Sequence, residues 1–204
     1  SRVEKISEKT GSPYVFDIMA TTPEAIVKYI GFVSEQEDDL PFFFDGIDSK
    51  TRIAAAQYAE SSGLRDRAVW NSLTLTTTKE EFGALVEHRV RYAILQAFDR
   101  RDPSPKGSLA ALTKNGLLDK SKEAHLEGVL IDIAVLDVPS VGASSEALAL
   151  VRKELGIPVG CAPANATYLW KSKRTDLLKK NFGSCHAAAC ALMQFSGANY
   201  IVMG

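Results

Sequence analysis

The chain has 204 residues, 46% of them hydrophobic and 24% charged, with 24 Lys+Arg against 25 Asp+Glu for a net charge of −1. That apolar fraction can bury a core, which excludes a disordered chain. The balanced charge supplies no clustered basic surface, so no nucleic-acid partner is expected: binding to DNA or RNA rests on phosphate neutralisation.

Three cysteines, Cys161, Cys185 and Cys190, are too few and odd in number for a disulfide framework, which predicts a reducing, cytoplasmic setting. The amino-terminal ten residues alternate charge, and every later apolar run is broken by Asp, Pro or Gly short of a membrane span. Neither a signal peptide nor a transmembrane helix is expected.

In chain order, short apolar runs begin near Pro13 (PYVFDIM), Pro41 (PFFFDG), Ala68 (AVWNS), Tyr92 (YAILQAF), Val129 (VLIDIAV), Pro158 (PVGCAPAN) and Ala198 (ANYIVMG). These are seven candidate strands. Helices are predicted between them. Thr22 can cap a helix with Pro23 in its first position and Glu24 in its first turn. Ser49 to Gly63 and Thr78 to His88 have the same character, and Ser144 to Gly156 has capping serines, an apolar stripe and a terminating glycine. Strands apolar on successive residues are buried on both faces, the mark of a parallel sheet covered by helices. The class is α/β.

The runs start 24 to 40 residues apart, about one βα unit each, with no Gly/Ser/Pro-rich linker between them. A single domain over residues 1–204 is therefore expected. No GxGxxG and no GxxxxGK[ST] occurs, which weakens a doubly wound nucleotide-binding sheet. In a (β/α)8 TIM barrel, by contrast, polar residues collect at the strand carboxyl ends. Asp17, Asp45, Asn71, Asp99, Asp132 and Asn165 each follow an apolar run, so the barrel is the predicted fold, with one of its eight strands missing. Carboxylates and carboxamides with few cations among them suit a neutral, donor-rich heterocycle better than a phosphate, because carboxylates accept paired N–H bonds. Taken singly, each is also an ordinary cap or turn residue.

At these same positions the sequence resembles a known family. PFFFDG (41–46), RIAAAQYAESSGLRDRAVWNS (52–72), LIDIAVLDVPSVG (130–142) and PVGCAPANA (158–166) are similar to the H subunit of tetrahydromethanopterin S-methyltransferase and its soluble relatives, the corrinoid-dependent methyltetrahydrofolate methyltransferases, above all the glycine betaine demethylation branch. The resemblance implies a pterin-binding TIM barrel that moves a methyl group between N5 of tetrahydrofolate and the cobalt of a corrinoid (methylcobalamin) carried by a corrinoid-binding partner protein. It also implies a homodimer. It gives Asp45, Asn71 and Asp132 to the pterin and Asn165 to the pterin's N5 and methyl region, where Asn165 is the catalytic candidate. Relative to the family, both ends of the barrel domain are expected to be incomplete, and Gly46 to Thr51 replaces the Ser/Thr-Pro-Glu run usual after that Asp.

Other residues are read more plainly. Cys185, His186 and Cys190 do not share one helical face, so they are expected to pack and not to bind metal. His88, His125 and His186 fall on helices or helix ends, Cys161 is a small buried hydrophobe beside Asn165, and Phe42, Phe43, Phe44 and Trp70 are packing residues. Trp170 is placed in an irregular basic loop with Lys171, Lys173 and Arg174, able to cover a pterin or meet a glutamate tail. Two competing functions are a non-catalytic pterin-binding or docking subunit and a dihydropteroate synthase relative; the latter needs Lys or Arg at its late strands, and the runs near Ile131, Cys161 and Val202 lack them.

Overall fold

The computed structural model describes residues 2–37, 39–173 and 180–203. Strands and helices alternate in the order α1 (Arg2–Thr10), β1 (Phe16–Ala20), α2 (Pro23–Gln36), β2 (Phe42–Gly46), α3 (Ser49–Ser61), β3 (Ala68–Leu73), α4 (Lys79–Glu87) and β4 (Tyr92–Gln96). They continue through α5 (Pro105–Thr113), α6 (Leu117–Glu123), β5 (Gly128–Ile133), α7 (Ser140–Leu155), β6 (Val159–Cys161), α8 (Ala164–Lys173), α9 (Phe182–Phe195) and β7 (Tyr200–Ile201). The strands stand in the order β1-β2-β3-β4-β5-β6-β7, and β1–β2, β2–β3, β5–β6 and β6–β7 pair in parallel. Sequential strands joined by helices give an α/β, TIM-barrel-like fold with one strand fewer than eight among the described residues.

Internal contacts divide the chain into two compact units, Ser1–Asn71 with Thr78–Tyr92 and Ser72–Thr77 with Ala93–Gly204. In the first, period-2 alternation puts Phe42, Phe44, Ala68 and Trp70 on one face, and they are buried, as are Ile26, Ile30, Ala55 and Ala59 of α2 and α3, in a core that is essentially solvent-free. Phe44 and Trp70 pack edge to face with centroids 5.6 Å apart. The same alternation sends Asp17, Asp45 and Asn71 to the opposite face.

Local signals set the helix ends. Thr22 accepts from the Ala25 N–H with Pro23 in the first turn, and Asp48 caps α3 by accepting from the Thr51 N–H at 2.9 Å. Thr78 and Glu81 form a full capping box at α4.

In the second unit, Ile94, Leu95, Leu112, Leu117, Ile131, Leu148, Val151 and Val159 form the core. Helix α7 ends at Gly156 in the left-handed conformation (φ 65°), as the terminating glycine predicts. Its start differs from the expectation: it begins at Ser140, whose side chain and that of Asp137 bond each other's backbone N–H. Ser144 is instead buried inside the helix and donates to the Ala134 carbonyl at 2.8 Å. Among the described residues no helix is long and apolar enough to cross a membrane.

Candidate functional site

In the first unit, strand register builds the site. Met19 pairs with Asp45 and Asp45 with Asn71, while Asp17 pairs with Phe43, two residues deeper. Asp17 thus lies within β1 and not past its end. Asn71, two residues above that level, reaches diagonally and donates from Nδ2 to Asp17 Oδ1 at 3.3 Å. Asp45 accepts the Gly46 N–H at 2.7 Å.

The carboxyl of Asp45 is raised to about 6, first by burial and then by the Asp17 charge, against which the Gly46 N–H and the Arg52 guanidinium act. Asp17 is raised too, by desolvation, with the Asn71 bond opposing. Its surface is exposed, but the surrounding protein mass still strips part of its hydration. Two acceptor-only carboxylates and a carboxamide that can donate or accept therefore meet on one face.

Beneath them runs a network that the sequence alone does not reveal. Arg52 donates from Nε to Glu81 Oε1 at 2.9 Å, with Nη2 on the same oxygen, and from Nη1 to the Gly46 carbonyl. Glu81 is buried, and its other oxygen accepts from the Thr78 N–H at 3.0 Å and the Thr78 hydroxyl at 3.1 Å. Burial alone pushes the Glu81 carboxyl up, but the bonds from Thr78 and Arg52 outweigh it and hold it below the usual carboxylate range. The Thr-x-x-Glu box was readable; an Arg partner 29 residues earlier was not.

In the second unit, Asp132 pairs in register with Gly160, and Gly160 with Tyr200. The Tyr200 hydroxyl donates to the Ile131 carbonyl at 2.9 Å, and the Asp132 carbonyl accepts the Ala97 N–H at 2.8 Å. Cys161 is fully buried and its thiol is pushed up to about 12 by burial, then by the Asp132 charge and by Cys190. Asn165 is exposed in the first turn of α8, four residues beyond β6.

Other expectations change. Asp99 does not stand open on a strand end; it forms a forked ion pair with Arg101, at 3.1 and 2.8 Å, that holds its carboxyl low. Trp170 is on helix α8, not in an irregular loop, and is half-buried. Lys171 on the same helix lies 4.6 Å from the Phe182 ring and 5.7 Å from Tyr168, while Arg174 falls outside the described residues. His186 is bonded through Nδ1 to Thr167 Oγ1 at 2.9 Å and its Nε2 stands 3.9 Å from Cys190 Sγ. Among the described residues no group of three or more His, Cys, Asp or Glu side chains is placed to hold a metal.

Compared with known proteins, residues 1–204 match the model of the family described as tetrahydromethanopterin S-methyltransferase MtrH subunit. The chain belongs to the MtrH family. It is 31% identical over 211 residues to the H subunit of tetrahydromethanopterin S-methyltransferase from Methanothermobacter thermautotrophicus and 32% identical over 212 residues to the corresponding protein of Methanosarcina barkeri. Each alignment covers 98% of this chain and 67% of the relative. The H subunit of a putative mtx methyltransferase, also from Methanosarcina barkeri, is 28% identical over 210 residues, again covering 98% of this chain and 67% of its own length. Among solved structures, citrate synthase SbnG superposes with a TM-score of 0.54 at 14% identity, covering 97% of this MtrH-family chain and 79% of its own. That last likeness speaks to the fold alone.

Proposed function

We propose that this MtrH-family chain is a methyltransferase that moves a methyl group between the cobalt of a corrinoid, held by a corrinoid-binding partner protein, and N5 of tetrahydrofolate. The observation that carries the reading is the group formed by Asp17, Asp45 and Asn71. A reduced pterin presents an amino-pyrimidine edge rich in N–H donors, and carboxylates beside a carboxamide match that edge. The family resemblance gives this role to Asp45 and Asn71, and their shared strand face supports it. The family resemblance gives Asp132 a pterin-binding role as well, and gives Asn165 the region of N5.

The corrinoid supplies a methyl group on cobalt and a cobalt that leaves as Co(I). In that direction N5 attacks the methyl carbon in line, the carbon–cobalt bond breaks with its electron pair remaining on the metal, and the N5 proton is then released. In the reverse direction N5 leaves only when protonated or strongly hydrogen-bonded. The chain's task is to orient the ring and polarise N5. In that reverse direction a neutral carboxamide such as Asn165 can donate to N5 as negative charge develops there, without titrating itself; in the forward direction, where N5 becomes positive, its carbonyl oxygen can accept from the N5–H instead. No protein nucleophile is required.

Tetrahydrofolate as the pterin and a homodimeric assembly, both supported by the resemblance to the soluble branch, and a cytoplasmic setting, supported by the three cysteines, complete the proposal. Calorimetric titration with tetrahydrofolate and with tetrahydromethanopterin, beside single-turnover transfer from a methylated corrinoid protein, tests it. Tighter binding of tetrahydrofolate with methyl transfer is the expected outcome. Binding without transfer would leave a docking subunit, and preference for tetrahydromethanopterin would overturn the choice of pterin.

A further inference from the structure

We propose that Arg52, clamped by Glu81, is a positioning residue that holds the Gly46 turn, and through it the Asp45 carboxylate, in place. The inference rests on the pterin reading of Asp45 for its purpose, but its geometry stands alone. Asp45 and Gly46 end β2, and α3 starts three residues later at Ser49. Gly46 is held at both of its peptide groups: its N–H donates to Asp45 Oδ1 at 2.7 Å, and its carbonyl, in the next peptide, accepts from Arg52 Nη1. The guanidinium is thereby one residue removed from the carboxylate.

Arg52 has little freedom to move. Its fork closes on Glu81, which is 3% exposed and is itself tied to both the N–H and the hydroxyl of Thr78. A planar fork with three of its donors engaged is not replaced by the point charge of a lysine. The turn is closed from above as well. A Cβ on Gly46 would stand 2.7 Å from Thr51 Cβ and Cγ2, so the peptide that carries the bond to Asp45 packs directly against α3.

The charges around Asp45 oppose one another. Asp17 on β1 disfavours its ionisation, whereas Arg52 on α3 favours it; Asn71 on β3 is neutral and bonded to Asp17, and Glu81 on α4 acts only through Arg52. Without Arg52, burial and Asp17 would act with less opposition, and a protonated Asp45 would lose one of the acceptor sites the amino-pyrimidine edge needs.

The test is the titration of the Asp45 side-chain carboxyl by carbon-detected NMR in the pterin-free protein. In Arg52→Gln the midpoint should rise by about 0.5 pH or more above its wild-type value. Arg52→Lys, which keeps the charge and loses the fork, should stay nearer wild type in midpoint while weakening pterin affinity. An Asp45 midpoint unchanged to within about 0.1 pH in a folded Arg52→Gln protein would overturn the proposal. If Arg52→Gln does not fold, Arg52→Met, which keeps the aliphatic stem and removes the charge, serves in its place with the same expected rise, and no change would be equally fatal. Pterin affinity followed against pH in the same variants separates the two claims. A midpoint that moves without any change in affinity leaves the positioning of Asp45 intact and removes the pterin from it.

Discussion

A carboxyl raised from 3.8 to about 6 holds a proton in the folded chain over a pH range in which the unfolded chain has released it. The stabilisation that comes from that proton is complete below pH 3.8 and is lost as pH rises through 6, so at neutral pH the ionised Asp45 opposes folding. Asp45→Asn keeps an acceptor for the Gly46 N–H and removes the charge. It should therefore stabilise the protein by about 1–2 kcal/mol at about pH 7.5 and by little near pH 4, measured by urea unfolding at both values. The same change should weaken pterin binding on the order of tenfold, because a charge-assisted acceptor is replaced by a neutral one. A variant no more stable at the higher pH would mean that Asp45 is not desolvated. Asn165 poses the opposite case. It is exposed at the start of α8, so Asn165→Ala should leave stability unchanged. If it acts on N5 as charge changes, the single-turnover rate should fall by about 10² with affinity nearly unaffected. Wild-type transfer would reduce it to a helix-end residue.

At the scale of elements, β6 shows why only part of the site was legible. The run Pro158 to Asn165 reads as a strand from its apolar residues, and Val159–Cys161 is a strand. Nothing in that run announces that a side chain crosses it. A Cβ on Gly160 would stand 2.5 Å from the Tyr200 carbonyl oxygen and 2.6 Å from its ring, and the Tyr200 hydroxyl continues over to the Ile131 carbonyl. Glycine is required there by close approach. Gly160→Ala should cost about 2 kcal/mol from overpacking, while Tyr200→Phe, losing one hydrogen bond, should cost about 1 kcal/mol. Equal, negligible losses in thermal unfolding would contradict this arrangement. The same distinction runs through the chain. Strand positions, the Thr22 and Thr78 caps and the Gly156 stop depend on neighbours in sequence, so they could be read. The Arg52–Glu81 pair, the Asn71–Asp17 bond and the Ser144–Ala134 bond depend on register and helix packing, which bring together residues 10 to 54 positions apart. The early start of α7 belongs with these, because Asp137 and Ser140 close its entry by bonding each other's backbone N–H, a pattern that an apolar stripe does not mark.

For the whole molecule, the balance of 24 basic against 25 acidic residues bears on how a large co-substrate is met. A net charge near zero gives little long-range steering, so encounter with a corrinoid protein should depend on local fit and change only a few-fold between low and moderate salt. Methyl transfer requires carbon, cobalt and N5 to lie in line within a fraction of an ångström. A corrinoid presented by a docked protein arrives with most of that orientation already fixed, whereas free methylcobalamin must lose its rotational and translational freedom in the reacting complex itself. Free methylcobalamin should accordingly be the poorer donor to tetrahydrofolate, with kcat/KM lower by about 10² or more than that of a methylated corrinoid protein. The comparison is direct when both donors are assayed at one pterin concentration and followed by the cobalt absorbance change. Equal specificity constants would show that the chain orients the corrinoid unaided, and the partner protein would then have no part in positioning the methyl group.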